Sequence, residues 1–559
     1  MLAAKRVLIV GGVAGGASCA ARLRRLDETA EIVVLDRGPY VSFANCGLPY
    51  YVGDVIRDET KLLVATPELF RQRFNIEVRT QNEVVAIDRI AREIEVRELP
   101  SGRMYRERYD ALVLSPGAMP IRPPIAGIAL PGIFTLRTVP DSRRIREWIE
   151  QRNARRAVVV GGGFIGLEMT ENLVHRGLEV TVVEMADQLM PPLDPEMADF
   201  VRRRVVTHTA HVHLGDGVAG FSASEDGSLI VRTAGGSALP ADLVILSIGV
   251  RPETSLARQA GLVIGDCGGI RVDERMRTSD ASIWAVGDAV EVRNTVTGEW
   301  EMIPLAGPAN RQGRIAADVI CGRNTRFRGV QATTVCGFFG LTVALTGATE
   351  KSLRRAGITD YEAIYVHPGH HAGYYPGAKP IHLKLIFRKC GGEILGAQAV
   401  GDEGVERRID AISMAIQARQ TVFDLEEAEL CYAPQYGAAK DPVNVAGMVA
   451  ANVVRGDVEL AHWGDVPGAD ALLLDVRDAT EFAGGSIEGS VNIPLGQLRD
   501  RARELPRDRE IWVSCGVGQR AYYACRLLAQ LGFRVRNLPG GYHSYRSWYP
   551  HGLHRIPPR

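Results

Sequence analysis

One pattern, written twice, limits what this chain can become. "RVLIVGGVAGGASCAARLRRL" (residues 6–26) is a strand, a glycine turn and a helix, and "EIVVLDRG" (31–38) adds a second strand ending in Asp36. "RAVVVGGGFIGLEMTENLVHRGLEVTVVEM" (156–185) repeats the scheme with Gly161, Gly163 and Gly166, and its second strand ends in Glu184. Such a unit suits a dinucleotide: the glycines admit the pyrophosphate, the helix start faces its charge, and the carboxylate receives ribose hydroxyls. Two units imply two dinucleotides on one chain. In the first unit Val13 stands where the middle glycine of G-x-G-x-x-G belongs, between Gly11 and Gly16.

With 559 residues the chain exceeds one core, so three or four domains are expected. Lysine plus arginine and aspartate plus glutamate are equal at 66 each, which leaves no net field for nucleic acid or an anionic membrane. No apolar run approaches the roughly 18 residues of a transmembrane helix. Nine cysteines without paired or metal-binding spacing suit a reducing compartment, so the cytoplasm is expected and no metal site is.

Two further strand-turn segments follow, "YDALVLSPGAMP" (109–120) and "TSDASIWAVGDAV" (278–290). With them the chain resembles the two-dinucleotide-binding flavoprotein disulfide reductase superfamily. The resemblance implies FAD at the first unit, touching Gly11, Val13, Ala14, Gly16, Asp36, Arg37, Ser115, Pro116, Gly117, Gly287, Asp288 and Ala306. It implies a nicotinamide dinucleotide at Gly161, Gly163, Phe164, Ile165, Gly166 and Glu184. A carboxylate at Glu184 would repel a 2′-phosphate, so NADH is expected in preference to NADPH.

Relatives store two electrons in a C-x-x-x-x-C disulfide. Here "YVSFANCGLPYY" (40–51) has Cys46 alone, with Tyr51 in the second place. A lone thiol still works if the other sulfur or oxygen comes from outside, as a mixed disulfide, persulfide or sulfenate. A helix start at this point, together with the flavin that the resemblance puts beside it, should favour thiolate. The segment resembles the single-cysteine branch, which holds coenzyme A-disulfide reductases and NADH oxidases or peroxidases. The oxygen enzymes carry a histidine in the first glycine loop, where Ala14 stands here. On the sulfur side the resemblance assigns CoA to Arg22, Arg25, Ser42, Asn45, Asn310 and Arg314, with Arg73 replacing a basic residue matched by Phe74. Glu168, just past the second glycine motif, either positions nicotinamide or is an ordinary helix-surface carboxylate.

"HHAGYYPGAKPIHLKLIF" (370–387) and "LCYAPQYGAAKDPVNVAG" (430–447) resemble the dimerisation domain of the same enzymes. That implies a homodimer in which Tyr374 and Tyr432 reach the partner's site. The last stretch, with "LLLDVR", "NIPL" and "CGVGQR" (515–520), resembles a rhodanese domain. Its six-residue loop would aim backbone N–H groups at Cys515, and Arg520 would add a fixed positive charge.

The expected fold is α/β: two Rossmann-like dinucleotide-binding domains, an α+β dimerisation domain and a C-terminal α/β rhodanese domain. The expected bounds are FAD 1–150 and 270–327, NADH 151–269, dimerisation 328–452, a linker at 453–464 and rhodanese 465–559. The expected function is an FAD-dependent reductase of CoA disulfide, CoA persulfide or polysulfide that works through Cys46, with Cys515 handling sulfane sulfur. The rival readings are an NADH oxidase or peroxidase cycling Cys46 as sulfenate, and a redox-sensing flavoprotein.

Overall fold

A computed structural model describes residues 5–209 and 211–550. Residues 1–4 and 551–559, at the outer ends of the expected FAD and rhodanese spans, lie outside the described residues. Contacts group the chain into two compact units, Met1–Asp187 with His208–Ala332, and Gln188–Thr207 with Thr333–Arg559.

The first unit holds two five-stranded parallel sheets of one plan. One runs Ile283–Ala285, Ala111–Leu114, Arg6–Val10, Glu31–Asp36, Glu77–Thr80. The other runs His211–His213, Glu179–Val183, Arg156–Val160, Leu243–Leu246, Ile133–Phe134. Val7, Leu8 and Ile9 are wholly buried, because a parallel sheet is covered on both faces and needs unbroken apolar strands. Pairings Val10↔Leu35 and Val160↔Val183 bring the strand ends level. Each glycine turn therefore opens at the carboxyl edge of its sheet, where such folds bind ligands. Ile133–Phe134, inside the expected FAD span, pairs with Val244 and Ile245 and so belongs to the second sheet.

The second unit contains a five-stranded antiparallel sheet in the order Thr334–Phe338, Leu341–Gly347, Ile394–Gly401, Ile381–Phe387, Glu362–Val366. It also contains a four-stranded parallel sheet, Val491–Asn492, Ala471–Asp475, Glu510–Ser514, Val535–Asn537. The stretch read as a linker, 453–464, is not open chain. Leu460 bridges Asn537 at the edge of the parallel sheet, and the buried Trp463 donates from Nε1 to Pro539 O at 2.9 Å. Its glycines suggested a break, but the leucine and tryptophan have apolar surface to bury.

The insertion helix Pro195–Val206 lies by sequence within the second nucleotide half and packs in the second unit. Asp194 and Glu196 at its start are buried, and with Glu350 they surround Lys384 Nζ, which lies 2.8 Å from Asp194 Oδ2 and 2.6 Å from Glu350 Oε1. Among the described residues these three carboxylates form the one group close enough to share a metal ion, and the fully buried ammonium already provides their cation. Removing one member of such a buried cluster leaves uncompensated charge. Lys384→Met should therefore lower stability by about 3–5 kcal/mol in urea unfolding at neutral pH.

Candidate active site

Both glycine turns are shaped by the same device. The Gly12 N–H donates to Asp36 Oδ2 at 2.9 Å, and the Gly162 N–H donates to Glu184 Oε2 at 2.7 Å. Each carboxylate takes a second N–H two residues on, from Gly38 and Ala186, both at 2.8 Å. A Cβ on Gly16 would lie 1.9 Å from Gly11 O, and one on Gly166 would lie 1.9 Å from Gly161 O, so neither turn admits a side chain there. The middle positions differ. Gly163 faces open space, whereas Val13 caps its helix with φ −97° and ψ −126°, outside the broad α and β regions. Ala14 and Phe164 each open the following helix, and Ile165 is exposed beside Phe164.

Around the first turn, Ser115 N donates to Val10 O and the Ser115 hydroxyl lies beside Gly15 and Gly287. Pro116 O accepts from Arg137 Nη2 at 2.9 Å, while Gly117 and Gly287 take positive φ. Arg37 pairs with Glu253 across 3.8 Å, and Ala306 starts the helix Ala306–Ile320. Burial raises Asp288, and Arg137 opposes that shift. This cradle fits a flavin dinucleotide: its close approaches admit only backbone, and its one strand-end carboxylate stands where a ribose would bind.

Cys46 lies in a short turn, Asn45–Gly47, followed by the five-residue helix Leu48–Val52. The segment before it is pinned: Ser42 N donates to Gly12 O at 2.8 Å, Ser42 O accepts from Val64 N at 2.8 Å, and Ala44 N donates to Leu62 O at 2.8 Å. The helix docks on the second glycine helix, Phe164–His175. A Cβ on Gly53 would overlap Asn172, Arg176 Nη1 donates to Val52 O at 3.0 Å, and Tyr50 hydrogen-bonds the Glu168 carboxylate. Cys46 is an exposed residue, yet its thiol is pushed up, first by partial burial and then by Glu168 and Asp288. The helix-start expectation of a favoured thiolate is therefore corrected. The turn and helix are too short for a strong dipole, and the charges acting on the sulfur are two carboxylates. Burial and Glu171 in turn raise Glu168 to about 7. The second-cysteine place is structural: Tyr51 is buried beneath Arg146, whose guanidinium lies 4.4 Å from the ring centre, and its hydroxyl donates to Glu59 at 3.3 Å.

The residues assigned to CoA fall into two groups. The first glycine helix, Ala14–Arg24, packs on Ala306–Ile320, where Ser18 bonds Asn310 and a Cβ on Gly313 would meet Gly15 O at 2.1 Å. Asn310 and Arg314 are exposed on this helix pair, but Arg22 is tied to Asp318 at 2.7 Å and is not a free cation. Arg24, buried, donates to Phe74 O and Asn75 O, which fastens two helix ends together; Arg25 and Arg73 stand at those ends, with Arg73 exposed. Ser42 and Asn45 flank the thiol in sequence.

In the second unit the Tyr374 and Tyr432 hydroxyls lie 2.8 Å apart, both residues exposed. They stand on two loops joined by the buried Arg408, which bonds His370 O at 2.6 Å and Asp441 at 2.8 Å. Cys515 follows the strand Glu510–Ser514, is fully buried, and accepts from the Gly518 N–H at 3.1 Å on Sγ. Arg520 makes a bidentate pair with Glu481, at 2.6 and 2.7 Å, which holds that carboxyl down at about 2. The fixed positive charge expected of Arg520 is thus already matched by Glu481. Sequence reading gave Tyr50 no role; its place four residues after Cys46 was the available signal.

Residues 5–313 match the pyridine nucleotide-disulphide oxidoreductase family, residues 333–441 its dimerisation domain, and residues 460–547 the rhodanese-like domain. The chain is 35% identical over 450 residues to a coenzyme A disulfide reductase of Staphylococcus epidermidis, covering 80% of this chain and 99% of that protein. The structure called reduced Bacillus anthracis CoADR-RHD superposes with a TM-score of 0.95 at 48% identity, covering 98% of each chain. An NAD-dependent persulfide reductase from A. fulgidus gives a TM-score of 0.89 at 39% identity, covering 97% of this chain and all of that one.

Because Glu168 pushes the Cys46 thiol up, Glu168→Gln should move the pH profile of Cys46 alkylation downward. The two profiles should converge below about pH 7, where the wild-type carboxyl becomes neutral and its push is gone.

Proposed function

This chain belongs to the pyridine nucleotide-disulphide oxidoreductase family, and from that premise we propose an FAD-dependent reductase that uses NAD(P)H to reduce CoA disulfide, CoA persulfide or polysulfide at Cys46. Its rhodanese domain handles sulfane sulfur at Cys515. One observation carries the reading. The segment carrying Cys46 bonds the first glycine turn through Ser42 N to Gly12 O, and its following helix docks on Phe164–His175 through Arg176 and Asn172. The single thiol therefore stands where the two nucleotide halves meet, with no second cysteine in the C-x-x-x-x-C place.

When bound, FAD would supply the passage of two electrons from NADH to sulfur. Gly11, Gly16 and Asp36 would hold it, and Gly161, Gly166 and Glu184 would hold the nicotinamide dinucleotide. The carboxylate geometry at Glu184 supports NADH over NADPH. Cys46, deprotonated, attacks the near sulfur of a CoA disulfide or the outer sulfur of a CoA persulfide. The substrate S–S bond breaks, CoA thiolate leaves, and Cys46 becomes a mixed disulfide or a persulfide. Two-electron reduction of that new bond returns the Cys46 thiolate and frees CoA thiol or hydrosulfide. The exposed residues Asn310, Arg314, Arg25 and Arg73 are the ones we assign to CoA phosphates. Tyr374 and Tyr432 act across a homodimer, where a phenol can protonate a leaving thiolate. Nine free cysteines fit a reducing compartment such as the cytoplasm.

Anaerobic NADH oxidation with CoA disulfide, CoA persulfide and polysulfide tests the division of labour. Cys46→Ser should lower turnover with all three by on the order of a thousandfold while FAD stays bound. Cys515→Ser should depress persulfide and polysulfide turnover more than CoA-disulfide turnover. Equal losses with every substrate would refute the separate role of Cys515.

A further inference from the structure

The Cys515 loop rests on a wall that the rhodanese fold does not build alone. The terminal helix, Gly541–Trp548, begins directly against it: Tyr542 N donates to Cys515 O at 2.7 Å and His543 N to Gly516 O at 3.0 Å. A Cβ on Gly541 would lie 2.3 Å from Cys515 O, so only glycine allows this approach. In a trans peptide the N–H points opposite to the preceding C=O. Holding these two carbonyls against the helix therefore turns the N–H groups of Gly516 and Val517 away from it. The loop N–H groups are thus oriented from behind, by a helix whose own position must be fixed.

That position is fixed from the dimerisation domain. On the other side of the helix start, Ser544 Oγ meets His367 Nε2 at 3.1 Å. A Cβ on Gly540 would lie 2.7 Å from Tyr365 Cβ and 3.0 Å from His367 Nε2. The Nδ1 atoms of His367 and His382 are 2.9 Å apart, and the His543 ring lies 5.6 Å from that of His367. The insertion helix closes the cluster: Phe200 stacks on His382 at 4.0 Å and Arg203 reaches Ser547 Oγ at 3.0 Å. Two Nδ1 atoms at that spacing require one donor and one acceptor, so the two rings are not both charged. Burial pushes His367 well down and His382 down to about 4, with Arg203 adding to the shift at His382 and Asp402 opposing it.

We infer that His367, acting through Ser544 and the start of the terminal helix, is a positioning residue for the Cys515 thiol, so that the sulfane-sulfur site is shared between the rhodanese and dimerisation domains. The functional meaning rests on Cys515 being the sulfur carrier, but the positioning does not. The test is iodoacetamide alkylation of the full-length protein, with Cys515 followed by peptide mass spectrometry and Cys46 as the internal reference. His367→Ala and Ser544→Ala should each slow Cys515 alkylation about tenfold near neutral pH and move its pH profile upward, a tenfold loss of thiolate corresponding to about one pH unit. His367→Gln, which keeps a hydrogen-bonding group toward Ser544, should stay within about twofold of wild type, with Cys46 unchanged in every variant. If His367→Ala does not fold, Ser544→Ala, lacking one oxygen, decides the matter. Unchanged Cys515 profiles in both variants would overturn the inference, and so would a His367→Gln defect as large as that of His367→Ala. If polysulfide leaves no sulfane sulfur on wild-type Cys515 while these shifts appear, the carrier role fails and the positioning stands.

Discussion

A carboxylate at a strand end, accepting the N–H of the neighbouring glycine turn, is the contact on which the nucleotide half of this protein depends. Asp36 does this for Gly12 and Glu184 for Gly162. The bond fixes the turn and leaves the carboxylate at the strand end, the position proposed above to receive a ribose. From the two turns run the helices that define everything nearby. One packs against Ala306–Ile320, and the other receives the short helix that follows Cys46. Without those shaped turns neither helix would start where it does, and the thiol would have no fixed neighbours.

The electrostatics around the two reactive sulfurs differ in kind. Burial first, and then the carboxylates Glu168 and Asp288, push the Cys46 thiol up. Cys515 is enclosed and meets a backbone N–H, while the Arg520 guanidinium is already matched by Glu481. One sulfur answers to charge that can come and go with the protonation of Glu168. The other answers to peptide dipoles that cannot. That contrast suits a thiol that changes partner at every turnover and a thiol that stores a sulfur atom between encounters.

Much of this was legible in the sequence because local chemistry dictates it. The glycine turns and the strand-end carboxylates need particular residues at fixed spacing, and the structure has both. The cysteine loop is shorter than expected, because the helix starts at Gln519 and the Gly518 N–H is the donor to Cys515 Sγ. What escaped depends on partners far along the chain. Arg22 lies on the helix face that reading assigned to CoA, but nothing near it in sequence announces Asp318 as its counter-ion. Arg520 does stand as a positive charge near the cysteine loop, but its counter-ion Glu481 lies in a different element and goes unannounced. Periodicity shows which face a side chain occupies; it does not show what waits there. The stretch 453–464 was misread for a related reason, since glycines mark flexibility only when no aromatic beside them is buried.

The insertion helix has a consequence for how the protein can be divided. The chain leaves the nucleotide half after Asp187, contributes Pro195–Val206 to the other unit, and returns at His208. A polypeptide cut off after residue 332 would keep Asp194, Glu196 and Phe200 but lose Lys384, Gln398 and His382, their partners. It would expose two charges and an aromatic face designed for an interior. The nucleotide-binding half is therefore not a detachable module, and its boundaries in space do not coincide with any single stretch of sequence.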